Sequence, residues 1–257
     1  MLNNSAQGRE FWITIPPNEF DGGYPALELE IYVTSSRNAK VTIEHPGSGF
    51  STTKPVKAYE ITTFTTADKS ANWAWEIRDD ERASNQGIHI ISDQPISVYA
   101  LNAKSVSADG FLALPTTVWG TQYMHMSLYD FGEFASSSPW GGGFVIVAKE
   151  NNTQVQFTLK GTDNGNPAGR TKKGKKLGTP YKFTLQRGQT YMVRGNGQTL
   201  NEFDFSGTVV TASKPIGFFS FHQRTMIPSF PSPNNGRDHL VEMIPPISSW
   251  GKRYVTL

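Results

Sequence analysis

The feature that most constrains this chain is that it says nearly the same thing twice. Between Asn85 and Leu128 it reads NQGIHIISDQPISVYALNAKSVSADGFLALPTTVWGTQYMHMSL, and from Phe205 to Leu257 it reads FSGTVVTASKPIGFFSFHQRTMIPSFPSPNNGRDHLVEMIPPISSWGKRYVTL. Gly87 answers Gly207, Pro95-Ile96 answers Pro215-Ile216, Pro115 answers Pro246, and Trp119-Gly120-x-x-Tyr123 answers Trp250-Gly251-x-x-Tyr254. The separation between matching residues grows along the chain. That is how a shared framework with longer loops reads, because loops lengthen at little cost while a slipped strand turns every side chain to the wrong face.

Inside each copy the dominant period is two, and no stretch keeps helical spacing beyond about two turns. Phe11 to Ile15 reads as a strand stopped by Pro16-Pro17. Leu27 to Val33 alternates cleanly and turns through Ser35 to Asn38 into Val41-Thr42-Ile43. Tyr59 to Phe64 and Trp73 to Ile77 read as two more strands. Ile88 to Ile91 and Ile96 to Leu101 read as a hairpin across SDQP. The pattern restarts at Phe144 to Val147, matched to Val33, and runs through Val155 to Leu159, Tyr181 to Leu185 and Tyr191 to Val193. These strand patterns predict an all-β fold of two tandem β-sandwich-like repeats, residues 1–138 and 139–257, ending at the start of a third. The alternative is a β-propeller-like array of four-stranded sheets, for which the long period is a poor match.

Composition excludes several classes. The chain has 37% hydrophobic and 18% charged residues, which argues for a packed core and against disorder. A net charge of +2 gives no global field to attract nucleic acid. The basic run RTKKGKK, Arg170 to Lys176, sits in a glycine-rich stretch and reads as a solvated loop, with an acidic glycan as the functional alternative. There is no cysteine, hence no disulfide, thiolate metal site or cysteine nucleophile. No apolar run is long enough to cross a membrane as a helix. The opening MLNNSAQGREFW carries neither a basic n-region nor an apolar h-region, so the chain is either not exported or has lost its signal.

Ser213-Lys214-Pro215-Ile216, Asp238-His239-Leu240-Val241-Glu242-Met243-Ile244-Pro245-Pro246 and Trp250-Gly251-Lys252-Arg253-Tyr254 resemble the N-terminal domain of the IgGFc-binding protein family. Gly8-Arg9-Glu10-Phe11-Trp12 and Ala148-Lys149-Glu150-Asn151-Asn152-Thr153-Gln154-Val155 are similar to the same pattern, although an acidic residue is more usual where Asn151 stands. The resemblance implies an extracellular or cell-surface module, of a kind found in mucus-associated animal proteins and in long bacterial surface proteins. The family is named for antibody Fc, but no residue here matches a known Fc contact.

Enzyme motifs are absent: the sequence has no glycine-rich phosphate loop, His-Glu-x-x-His helix or Gly-x-Ser-x-Gly elbow. The richest constellation is His222, Arg224, Phe230, Arg237, Asp238, His239 and Glu242, gathered around the loop IPSFPSPNNG. Long loops on a rigid scaffold are where binding residues collect. The structural reading is that Asp238 ties the loop base, as a recurring Asp109 in AKSVSADG suggests, while Glu242 pairs with Arg224 or Lys252. Trp119 and Trp250 recur once per copy, which favours packing over sugar stacking. Trp73 and Trp75 share one face of a strand. No cofactor is expected; calcium is the one candidate, at Asp79-Asp80-Glu81 or Asp163-Asn164-Gly165-Asn166, neither with EF-hand spacing. The expectation is therefore a non-enzymatic extracellular binding or adhesion module with a protein or glycan partner. The alternatives are a carbohydrate-active enzyme using Glu242 with Asp238 or Asp109, and a structural spacer.

Overall fold

The computed structural model of the chain describes residues 6–18, 28–65, 75–104, 107–130, 140–166, 169–197, 203–225 and 237–251. Among them the regular structure is strand, with two single-turn 3-10 segments at Thr116–Val118 and Ile247–Ser249. None of the described residues forms a helix long and apolar enough to cross a membrane. The fold is all-β, as the alternation predicts, and it consists of two sandwich-like units.

Each unit is built on one 17-residue strand, β7 (Ile88–Lys104) in the first and β14 (Val209–Thr225) in the second. The first part of β7 pairs with β1 (Gly8–Ile13) and with β3 (Ala39–His45), which pairs onward with β4 (Phe50–Val56). The second part pairs with β2 (Glu28–Thr34), which continues to β5 (Ile61–Thr65), and with β8 (Ser107–Leu112). One strand thus serves two layers, and the expected hairpin across SDQP is instead a passage from one layer to the other. Pro95 falls there because it has no N–H to give a ladder.

The second unit repeats the plan. β14 pairs first with β9 (Gly120–Met124) and β11 (Thr153–Thr158), and β11 pairs with β12 (Pro180–Leu185). It then pairs with β10 (Gly142–Ala148), which continues to β13 (Thr190–Arg194), and with β15 (Asp238–Met243). Thus β12 answers β4 and β13 answers β5. In order along the chain, Tyr181 to Leu185 and Tyr191 to Val193 would be expected to answer the Tyr59 and Trp73 segments. Instead it is the Tyr191 strand that answers the Tyr59 segment, β5, while the Tyr181 strand answers β4, and Trp73 lies outside the described residues. The sheets also draw on both sides of residue 139: β9 and the short β6 (Ala83–Ser84) hydrogen-bond in the second sheet, β6 on the edge of β13.

Register corrects one further match. Ile31 and Val33 face the core shared with Val98 and Ala100, while Phe144 and Ile146 face the core shared with Ile216 and Phe218. Val33 therefore answers Ile146, one residue earlier than the alignment on Val147. Val145 and Val147 point the other way, into the first unit's core, together with Met192, Phe219 and Phe221. This gives β10 its unbroken burial, GGFVIVA, whereas β3 alternates as a strand with one wet face.

Candidate functional site

The predicted constellation sits where β14 ends and β15 begins. Residues 226–236 between them, including Phe230, lie outside the described residues. What can be described is the base on which that loop stands, and it is a seam between the two units: β15 runs against β8, with side chains of each tied to the backbone of the other.

Asp238 is exposed, yet its Oδ1 is fully used. It accepts the Ala108 N–H at 2.8 Å and the His239 N–H at 2.9 Å, and lies 3.0 Å from the Ser107 hydroxyl. Asp109 reaches the other way, accepting the Val241 N–H at 2.8 Å. The two aspartates are reciprocal, not equivalent, since Asp238 opens β15 as Ser107 opens β8. Burial raises the Asp109 carboxyl above the usual range, against the pull of its Val241 and Gly110 N–H bonds, and nearby Asp238 adds to the rise. Glu242 is raised too, by burial first and then by Asp109.

His222 and His239 are buried at 1% exposure each. His222 Nε2 donates to the Tyr129 carbonyl at 2.9 Å, and its Nδ1 accepts the Arg224 N–H at 3.2 Å. The Nδ1 of His239 donates to the His222 carbonyl at 2.9 Å. Burial lowers both imidazoles to about 4, so they are neutral spacers that satisfy backbone groups. Arg224 lies over the Trp140 ring, 4.6 Å from its centre, and both Arg224 and Arg237 are half-buried. The structure thus brings His222, Asp238 and His239 together as a rigid base and leaves Arg224, Arg237 and Glu242 nearer the surface.

The other candidates are largely occupied by partners. Asp80 takes the Arg194 guanidinium on both oxygens, at 2.8 and 3.0 Å, Asp79 pairs with Arg82 at 2.6 Å, and Glu81 pairs with Lys175 at 2.9 Å. Asp163 accepts the Gly165 N–H of its own turn. No group of three or more metal-ligating side chains is placed to hold an ion among the described residues. The basic run is anchored through Lys175, which lies 4.3 Å above the Tyr181 ring, and leaves Arg170, Lys172, Lys173 and Lys176 exposed. Trp119 is buried in the core that joins the units, as packing predicts, and Trp75 is buried against His45.

Sequence reasoning missed two features. One is Ser107, a small residue at a strand start that meets Asp238, His239 and Asn18, for which no local pattern gave a signal. The other is a shallow groove of about 510 Å³ on the outer face of β11, β12 and β14, lined by Gln154, Gln156, Lys182, Thr184, Thr211 and Ser213 among others. Alternating polar residues there read as an ordinary solvated face. Their amides and hydroxyls suit a polar ligand rich in hydroxyl groups.

Comparison with known proteins bears on the second unit most. A family model described as IgGFc binding protein matches residues 109–257, which takes in β9 to β15 and the loop between β14 and β15. The human protein named IgGFc-binding protein is 34% identical over 168 residues, covering 65% of this chain and 3% of the human protein. No solved structure matches. With more than half of its length matched, the chain belongs to the IgGFc-binding protein family.

Proposed function

We propose that this chain is a non-enzymatic binding module of the IgGFc-binding type, acting outside the cell or at its surface as one piece of a longer adhesion protein. The observation that carries this reading is the family match over the whole second unit, including the β14–β15 loop and its fixed base. The piecewise reading is supported by the small share of the human relative that the chain spans. A protein partner is met at that loop, to which Phe230 belongs by sequence, with Arg224 and Arg237 at its ends and His222, Asp238 and His239 holding its base. The base contributes rigidity, and the loop contributes contact, the usual division in binding proteins.

The test is a panel of immobilised immunoglobulin Fc and surface glycans, probed with the intact chain and with a variant whose residues 226–236 are replaced by a glycine-serine linker. Binding to Fc that is lost in the variant supports the reading. Binding to glycans that survives the replacement would move the site to the groove on β11 and β12. A panel that stays blank with folded protein would favour a spacer. Turnover of a glycan that disappears in Glu242→Gln would replace the reading with an enzyme.

A further inference from the structure

The basic run from Arg170 to Lys176 is exposed, yet it is not loose. Five of its seven residues are cationic and none is acidic. Thr171 is fully buried at the centre of a tight turn: its carbonyl accepts the Gly174 N–H at 2.9 Å, its hydroxyl accepts the Lys175 N–H at 2.8 Å, and its own N–H donates to the Lys175 carbonyl at 3.0 Å. Gly174 closes the turn at a φ of 90°, where a side chain would be strained. The turn is stitched to the rest of the second unit on both sides. The Lys172 N–H donates to the Arg194 carbonyl at 2.9 Å, the Arg170 carbonyl accepts the Asn196 N–H at 3.0 Å, and the Gly178 N–H donates to the Leu159 carbonyl at 2.8 Å. Glu81 adds a further tie by accepting the Lys173 N–H at 3.0 Å.

Among the described residues, Lys175 is the one cation of this turn with an acidic partner, Glu81 at 2.9 Å. The acids nearby are committed elsewhere: Asp79 to Arg82, Asp80 to Arg194, and Asp163, packed against Gly169, to the Gly165 N–H. Arg170, Lys172, Lys173 and Lys176 therefore keep their charges in water on one rigid turn. Holding like charges together costs repulsion that an anionic partner relieves.

The turn leads through Gly178 and Thr179 into β12, and there it meets a second hollow. This one holds about 350 Å³ and is lined by Gln156, Thr158, Lys160, Tyr181, Lys182 and Thr211 among others. Gln156 stands opposite Lys182 on one side and Thr211 on the other, and all three also line the 510 Å³ groove, so the two hollows form one trough. Lys160 and Lys182 are exposed along it. The trough offers no free aromatic face on which a nucleic acid base could stack. The Tyr181 ring lies beneath Lys175 and against Phe157, and Phe183 stacks on Tyr191 at 3.7 Å. Its amides and hydroxyls match the hydroxyl groups of a sugar instead.

We propose that the turn and the trough form one binding site for a linear acidic glycan, a sugar chain carrying sulfate or carboxylate groups. Its anions sit on Arg170, Lys172, Lys173 and Lys176 and continue to Lys160 and Lys182, while Gln156 and Thr211 take hydroxyls of the sugar rings. Little ordering of the protein is needed, because the turn is already held. Salt weakens the contact, since every cation is exposed. The site is separate from the β14–β15 loop. Fc binding that is lost with residues 226–236, while acidic-glycan binding stays, is the pattern a chain with two sites gives.

Calorimetric titration of the intact chain decides it, with a sulfated heparin oligosaccharide, an unsulfated polyuronate, neutral dextran and single-stranded DNA as probes. Heparin is expected to bind, with an affinity that falls about tenfold or more between about 50 and about 200 mM salt, and dextran is not. Polyuronate that binds as well as heparin assigns carboxylate as the source of the anions, and a heparin preference assigns sulfate. Lys172→Glu with Lys176→Glu should weaken heparin binding by about tenfold or more, and Lys160→Glu with Lys182→Glu to a similar degree. Arg37→Glu with Lys40→Glu, which changes the net charge equally from the exposed surface of the first unit, should bind like wild type. Glutamine at the same four site positions should give smaller losses, and it replaces any glutamate variant that circular dichroism shows to be poorly folded. Neither acidic glycan binding, dextran or DNA binding as tightly as heparin, a Lys160 and Lys182 variant that binds like wild type, or an equal loss in the first-unit control would each overturn the proposal.

Discussion

β7 and β14 are equally long and make the same set of pairings, yet only β14 is buried on both faces through its second half. From Ile216 to Gln223 every residue of β14 is buried, whereas β7 keeps Ile91 and Tyr99 in water. The difference lies in side-chain chemistry and not in backbone plan. Where β7 offers Ser97, Tyr99 and Leu101 to its outer face, β14 offers Gly217, Phe219 and Phe221. Glycine lets Trp119 approach, and Phe219 sets its ring against Phe111. Topology is inherited from the repeat, and the faces decide which unit must be covered.

Acid should weaken the second unit more than the first, because three buried histidines, His125, His222 and His239, belong to the second. The first buries His45, also lowered by burial but with Ser48 and Gln86 on its ring nitrogens. Where β14 has His222, β7 has Asn102. Burial lowers His222 and His239 to about 4 and His125 to about 3, against an ordinary value of 6.5. The unfolded chain therefore takes up these protons first. The stability that rests on neutral histidines is intact above about pH 6.5, is lost as pH falls toward about 4, and changes no further below the folded values. A tenfold difference in proton affinity between folded and unfolded chain is worth about 1.4 kcal/mol, so each of His222 and His239 contributes on the order of 3 kcal/mol to that loss. Asp130, whose carboxyl is raised by burial against the hold of the Gly197 and Gly142 N–H groups, works in the opposite sense and trims the slope. Urea midpoints measured from pH 7.5 to pH 4.5 should fall steeply, and His239→Asn should flatten the curve. A level profile over that range would mean that the second unit does not hold its histidines dry.

A paired substitution attacks the faces directly. Phe219→Ala removes a ring buried between the units, and emptying such a site costs about 3–5 kcal/mol. Tyr99→Ala changes the matching position of β7, which is 47% exposed, and should stay within about 0.5 kcal/mol. Chemical denaturation of both variants reads the contrast in one experiment. Equal losses would mean that the first unit's outer face is covered as fully as the second's.

How much of this is legible in the sequence follows from where each signal is stored. The repeat and the all-β class are plain because prolines, glycines and alternation are local. β4 gives no strand signal because between Phe50 and Val56 it holds only hydroxyl residues, a lysine and a proline, which an edge strand can carry. β7 reads as two strands because a proline and three polar residues in SDQP look like a turn, and only pairing on both sides shows one strand crossing layers. The β2–β10 match slips by one because both faces of β10 are apolar, so nothing in GGFVIVA says which face is inside. The candidate site reads as a loop with six polar neighbours. Half of them serve the seam, a fact set by β8, which lies more than a hundred residues away in the chain.

The seam itself allows the finest comparison, between two aspartates that do similar work from opposite sides. Asp238 holds two N–H donors and stands beside the Ser107 hydroxyl, whereas Asp109 holds the Gly110 and Val241 N–H groups. Removing Asp238 leaves a strand-end N–H and a buried hydroxyl poorly paired, and should cost about 1–2 kcal/mol. Removing Asp109 should cost less, about 0.5–1 kcal/mol, because its charge is already disfavoured by burial and by Asp238. The double variant should lose more than the sum, since each single change already relieves the like-charge repulsion and the pair can relieve it only once. Urea denaturation of Asp238→Ala, Asp109→Ala and the pair measures all three values. If Asp109→Ala proved the more costly, β15 would be held mainly through Val241, and the loop base would owe its position to the first unit's strand instead of to its own aspartate.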